Sequence, residues 1–151
     1  TLGSPRLTNT GAGGHYVPVD EHRRPAALGA MALGGALGTG ARYGVSQVVH
    51  AAPGSFPWPT FWTNLSGAFA LGLILAVVLR HFPPRLYLRP FVAVGFIGAY
   101  TTYSTFAVET VLLARDGHAA LALAYAASSL VAGFVVSWAG IWSGRLVGSR
   151  A

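Results

Sequence analysis

These 151 residues contain no cysteine, no lysine, a single methionine and only four acids. Without cysteine there is no disulfide, no thiolate nucleophile and no cysteine zinc site. Charged residues of both signs amount to 9% of the chain, where a soluble domain carries about a quarter. That is too few to clothe a water-facing surface. With 53% hydrophobic residues, the composition is that of a membrane protein, and the length allows one compact domain. All ten basic residues are arginines, and they give a net charge of +6. They sit scattered at segment ends and in connectors, not in a basic stripe, so they read as topology signals and nucleic-acid binding is set aside. The five histidines fall outside the apolar runs with no metal-ligand spacing, which makes them solvated or interfacial.

What is abundant is apolar helix-forming sequence. Thr1 to Arg24 is polar and rich in Gly, Pro and Thr; a segment of that kind cannot offset its ordering entropy and is expected to be a disordered tail. The remainder, 25–151, forms one four-helix unit. Its apolar spans run from about Pro25 to Val49, Thr60 to Leu79, Pro90 to Leu113 and Ala119 to Leu146, each near the ~20 residues that cross a hydrocarbon core. Pro25, Pro59 and Pro90 fall where a helix start tolerates proline. Glycine and alanine recur at four-residue spacing (Gly34 and Gly38, Gly40 and Gly44, Ala68 and Gly72, Gly140 and Gly144), a pattern that lets helix backbones approach closely.

Arginine placement orients the bundle. The tail, the connector after span two and the C-terminus share one side and hold Arg6, Arg23, Arg24, Arg80, Arg85, Arg89, Arg145 and Arg150. The other side holds Arg115, offset by Asp116, with Arg42 reaching from span one. The bias puts both termini in the cytoplasm of a multi-pass cell-membrane protein.

Polar residues inside spans face a bundle interior or a water pathway. Here they are Arg42, Asn64, the cluster Thr101 to Thr105, Glu109, Tyr125 and Ser128-Ser129. Arg42 is either a snorkelling side chain or a fixed charge that draws anions into a vestibule. Asn64 either bonds helix to helix or offers its amide N–H to an anion. Tyr103 and Phe106, three apart, share a face, as core or as binding surface. Gly95 and Gly98 mark the third span for local unwinding, and unwound carbonyls at membrane depth need a protein, water or cation partner.

Three stretches carry a resemblance: GGALGTGARY from Gly34, TNLSG from Thr63, and GFIGAYTTYSTF from Gly95 to Phe106. In this order and spacing the chain resembles the Fluc (CrcB) fluoride channels over about residues 25 to 146. The resemblance implies an all-α membrane protein of four transmembrane helices, the third broken near its middle, assembled as an antiparallel dimer. It implies passive fluoride efflux and no catalysed reaction. It implies carbonyls of Gly98 and Thr101 around a structural Na⁺ at the dimer centre. Asn64 matches a pore asparagine, Tyr103 and Phe106 two pore phenylalanines, and Tyr125 a pore-facing tyrosine. Ser104, Thr105 and Ser129 extend a hydroxyl track. Arg42 matches a vestibule arginine, and Glu109 an acid one helical turn past the rings. Two positions depart from the family pattern: Ala99 replaces a second glycine, and Tyr103 replaces a phenylalanine.

Two other readings stand beside this one. A small proton-coupled multidrug transporter can also be a four-helix dimer, but it needs a carboxylate central in its drug cavity, typically in the first helix; the first span has none. A non-conducting subunit would complete another chain's pore. The dimer partner is a second copy of the chain or a homologue of opposite bias; strong arginine asymmetry disfavours insertion in both orientations and so favours the homologue, with membrane lipid as the other partner. Termini of the chain expressed alone should therefore map to the cytoplasm of intact cells by tag accessibility. A substantial population with termini outside would remove the reason for a second kind of subunit.

Overall fold

The computed structural model describes residues 24–81 and 87–147. The tail expected before Arg24, the connector 82–86 and the last four residues, with Arg6, Arg23, Arg85 and Arg150, lie outside them. Every regular element among the described residues is helical: α1 (Arg24–Val48), α2 (Trp58–His81), a π-helix (Pro90–Ile97), α3 (Gly98–Tyr100), α4 (Tyr103–Arg115) and α5 (Ala119–Val147). The π-helix and α3 run on without a gap, so the third arm is a single span interrupted once. This is the all-α membrane architecture anticipated above, with helix ends within a few residues of the sequence boundaries.

The prolines stand at helix entrances, Pro25 and Pro59 second in their helices and Pro90 first, where the missing N–H removes no helical bond. Helix α4 ends on a glycine: Gly117 has φ +86°, His118 N–H donates to Leu113 O at 2.8 Å and Gly117 N–H to Ala114 O at 3.4 Å. That is a Schellman ending, which needs a left-handed residue at this position.

Among the described residues three stretches are long and apolar enough to cross a membrane: Trp58–Val77, Pro90–Arg115 and Ala119–Leu146, with mean hydropathy 1.5, 1.4 and 2.0. Helix α1 is 25 residues long, about 37 Å, but its six glycines dilute its hydropathy. Glycine serves closeness there. A methyl group on Gly34 would overlap the Phe91 carbonyl, one on Gly38 the Phe96 carbonyl, and one on Gly95 the Met31 carbonyl. Helix α1 thus lies backbone to backbone against the π-helix. Gly140 and Gly144 do the same for α5 against Phe69 and Leu73 of α2. The bundle is two tight pairs of parallel helices, α1 with the π-helix and α2 with α5, and α4 leans on α5.

Little apolar surface is buried. Leu65, Ile97, Leu113, Ala122 and Tyr125 form the interior, and long side chains of every arm point outward. In water this would be untenable; in lipid, tight backbone packing supplies the association. Buried side chains cluster at the α4–α5 end, around Leu113, Ala122 and Tyr125, where Phe56 from the first connector sets its ring edge-on to Tyr125 at 5.2 Å.

Gly38→Leu should therefore lower the melting temperature of the detergent-solubilised protein, since overpacking a tight contact costs about 1–3 kcal/mol. Gly35→Ala, where an added Cβ meets nothing within 4 Å, should leave it unchanged or raise it. Tryptophan fluorescence during a thermal ramp measures both.

Candidate functional site

The third arm breaks at Thr101 and Thr102, whose backbones are extended at φ −76°, ψ 159° and φ −148°, ψ 118°. Gly98, expected to loosen the helix, is itself helical at φ −62°, ψ −32°, and Gly95 is used for contact with α1. The break lies midway along the 26-residue span Pro90–Arg115. No water is available at that depth to satisfy an unwound backbone.

Helix α2 satisfies it instead. Asn64 Nδ2 donates to Thr102 O at 3.0 Å, and Thr102 N–H donates to Asn64 Oδ1 at 2.8 Å. One side-chain amide thus replaces a peptide unit of the missing turn. On the other side of the break, Ser66 Oγ donates to Trp62 O at 2.7 Å and so accepts from Tyr100 OH at 2.8 Å. Gly67 gives the room: a Cβ there would overlap the Thr101 methyl.

The hydroxyl run has local work. Thr101 Oγ1 donates back to Ile97 O at 2.9 Å. Thr102 is the N-cap of α4, its Oγ1 accepting from Thr105 N–H at 3.2 Å in the usual manner of a helix start. The same oxygen donates to Thr105 Oγ1 at 3.0 Å and lies 3.3 Å from Ser104 Oγ, which is left as the donor of that pair. Two carbonyls change status as a result. A helical Gly98 carbonyl would receive Thr102 N–H, which goes to Asn64. A helical Thr101 carbonyl would receive Thr105 N–H, which goes to the Thr102 cap. Both oxygens lose their helical donor, and carbonyl oxygen is a ligand suited to a hard cation.

Thr102 lies on the wall between two grooves. One, about 350 Å³, is lined by Asn64, Thr101, Tyr103, Phe106 and Ser129 among others. Ser129 Oγ is buried there with no hydrogen-bond partner among the described residues. The rings of Tyr103 and Phe106 lie 6.0 Å apart. Tyr103 is, at 81%, the most exposed of the large hydrophobic side chains among the described residues, and stands at the open side of this groove. The other groove, about 430 Å³, is lined by Arg42, Thr60, Thr63, Thr105 and Glu109 with parts of α1. Besides Thr102, which lines both, the fold thus gathers five of the residues singled out in sequence in one groove and three in the other. Ser104 is exposed beside the break.

Tyr125 is placed differently from a groove-facing ring. It is fully buried beneath Phe106, at a ring distance of 5.2 Å, and its OH donates to Glu109 Oε2 at 2.8 Å. Thr60 Oγ1 donates to Glu109 Oε1 at 2.8 Å. Both carboxylate oxygens therefore accept, and α2, α4 and α5 are tied together through the one acid inside a span.

Thr60 and Thr63 did not stand out in the sequence. The first holds Glu109; the second, 2% exposed, lines the same groove. The signal was present, since Thr60, Thr63, Asn64 and Gly67 fall on one helical face. Threonine at a helix start is commonly a cap, and that role masks the periodicity.

Known proteins bear on this geometry. A family model described as CrcB-like protein, Camphor Resistance (CrcB), matches residues 29–141. A fluoride-specific ion channel FluC 3 of Streptomyces avermitilis is 45% identical over 127 residues, which are 84% of this chain and 62% of that protein. A FluC channel of Hydrogenovibrio crunogenus is 40% identical over 77% of this chain and 89% of its own length. One from Acidobacterium capsulatum is 42% identical over 80% and 94%. The match takes in α1's glycines, the Asn64 clamp, the broken third arm and most of α5, and on that extent the chain belongs to the CrcB family.

Proposed function

We propose that this chain is a subunit of a fluoride-specific channel that lowers cytoplasmic fluoride by passive efflux. The observation that carries the reading is the groove beside the break. Ser129 Oγ is buried there with no acceptor of its own, next to the second Nδ2–H of Asn64 and two aromatic rings. Fluoride is small and strongly hydrated, and a pathway for it must replace water with short donors and positive ring edges. Chloride is larger and gains less from such donors. On this reading Asn64, Tyr103, Phe106 and Ser129 form the wall of the path, with Ser104 exposed beside it and Thr105 on the neighbouring groove. Arg42 and Glu109 line its mouth, and Tyr125 supports Phe106 and Glu109 from beneath.

The groove is open on one side, which an antiparallel second subunit would close. The arginine asymmetry favours a homologue of opposite bias for that role. A structural Na⁺ at the centre of the assembly fits the donor chemistry, because Gly98 and Thr101 present carbonyls released from helical bonding. A cation there attracts an anion about 10 Å away by roughly 1.7 kcal/mol at an effective dielectric of ~20. That aids entry without trapping the ion.

Vesicles loaded with fluoride and bearing this chain, alone and then with a homologue, test the reading on a fluoride electrode. Fluoride should leave and chloride should stay. Ser129→Ala leaves every hydrogen bond described above intact and should slow efflux about tenfold, the worth of one hydrogen bond to a charged group. Equal passage of both halides, or of neither in any pairing, would overturn the assignment.

For the cation, replacing Na⁺ by a large organic cation should lower the melting temperature of the assembled protein in detergent. Ligand linkage predicts a shift that scales with Na⁺ concentration. A melting temperature indifferent to Na⁺ would remove the ion from the description.

A further inference from the structure

One face of α5 has no partner among the described residues. Val131, Phe134, Trp138, Trp142 and Arg145 recur at three- and four-residue spacing and so lie within one narrow strip. The four apolar members are between 54% and 78% exposed, and Arg145 is exposed as well. The opposite face, with Gly140 and Gly144, is the one pressed against α2.

The order of chemistry along the strip is that of a phospholipid. Aliphatic and phenyl groups come first. Next come two indoles stacked at 6.4 Å and 6° between planes, then a guanidinium in the last turn. From Val131 to Arg145 is 14 residues, about 21 Å, close to the ~20–22 Å from bilayer midplane through the headgroup layer. Indoles favour the interface, and arginine pairs with phosphate in a forked geometry.

Charge favours an anionic lipid over a zwitterionic one. From Arg24 onward the only acids are Glu109 and Asp116, and both lie toward the opposite end of the bundle. The Arg145 end also carries exposed Arg89. Trp58 and Trp62 form a second stacked pair at 6.4 Å at the opposite end, where Arg115 is accompanied by Asp116 and α2 has no basic residue near the rings. They are an internal comparison.

We infer that the Val131–Arg145 strip of α5 docks an anionic phospholipid, with Arg145 on its phosphate and Trp138 and Trp142 at its ester level. An arginine that only offsets the negative end of the α5 dipole would show no lipid preference.

The full chain carrying Trp58→Phe and Trp62→Phe, in its channel assembly, reports from Trp138 and Trp142 alone. It is placed in phosphatidylcholine vesicles containing a small fraction of brominated phosphatidylglycerol or, separately, brominated phosphatidylcholine. The anionic quencher should be enriched about fivefold around the strip, and Arg145→Gln should abolish the difference. The reciprocal Trp138→Phe, Trp142→Phe protein should show no preference. Equal quenching by the two lipids overturns the inference. So does weak quenching by both, which would mean that protein covers the strip. Native mass spectrometry of the otherwise unaltered protein gives a second readout: Arg145→Gln should release one retained anionic lipid per subunit, and an unchanged count overturns the inference too.

Discussion

An unwound peptide in the middle of a bilayer must find its hydrogen bonds from protein, and Asn64 supplies them to Thr102 from both ends of its amide. Leaving those two backbone groups unpaired would cost about 1–3 kcal/mol each. The clamp explains why α2 sits where it does. It also allows α4 to restart with its own cap instead of continuing α3, and it leaves the Gly98 and Thr101 carbonyls without helical donors. With Ser66 holding Tyr100, α2 grips the chain on both sides of the interruption.

Around that clamp, polar groups divide into those that hold the fold and those that remain free for an ion. Thr101, Thr102 and Thr105 are engaged in capping and back-bonding. Glu109 is held through both oxygens by Thr60 and Tyr125, so its position follows from three helices at once. On the groove between α2, α4 and α5, Ser129 Oγ, the outer N–H of Asn64 and the Tyr103 hydroxyl are left among the described residues. A pathway built this way has donors with fixed positions, since each is anchored by neighbours with separate structural bonds. For a small, strongly hydrated anion that preorganisation matters more than donor number.

The surface follows from the same economy of polar atoms. Glycine-mediated contacts bury backbone, not side chains, so the apolar side chains face outward in every arm. Lipid and a second subunit are the natural covers for such a surface, and α5 sorts its exposed face from aliphatic to indole to guanidinium along the bilayer normal.

Composition alone determined that the chain is a helical membrane protein, because charges at 9% cannot coat a soluble fold. Hydropathy and proline placement determined where its arms begin. The motifs from Gly34, Thr63 and Gly95 determined its family and marked Asn64, Phe106 and Glu109. Sequence could not say where the third arm opens, since Gly95 and Gly98 look like the weak points when read locally. Only tertiary structure decided that these two glycines stay helical and that Thr101 and Thr102 unwind, because the competing hydrogen-bond partner, Asn64, arrives from a different helix. The same holds for Tyr125 and Thr60, whose shared carboxylate is invisible until α2, α4 and α5 meet. Periodicity reports which residues share a face; which face another helix covers depends on packing between segments far apart in the chain.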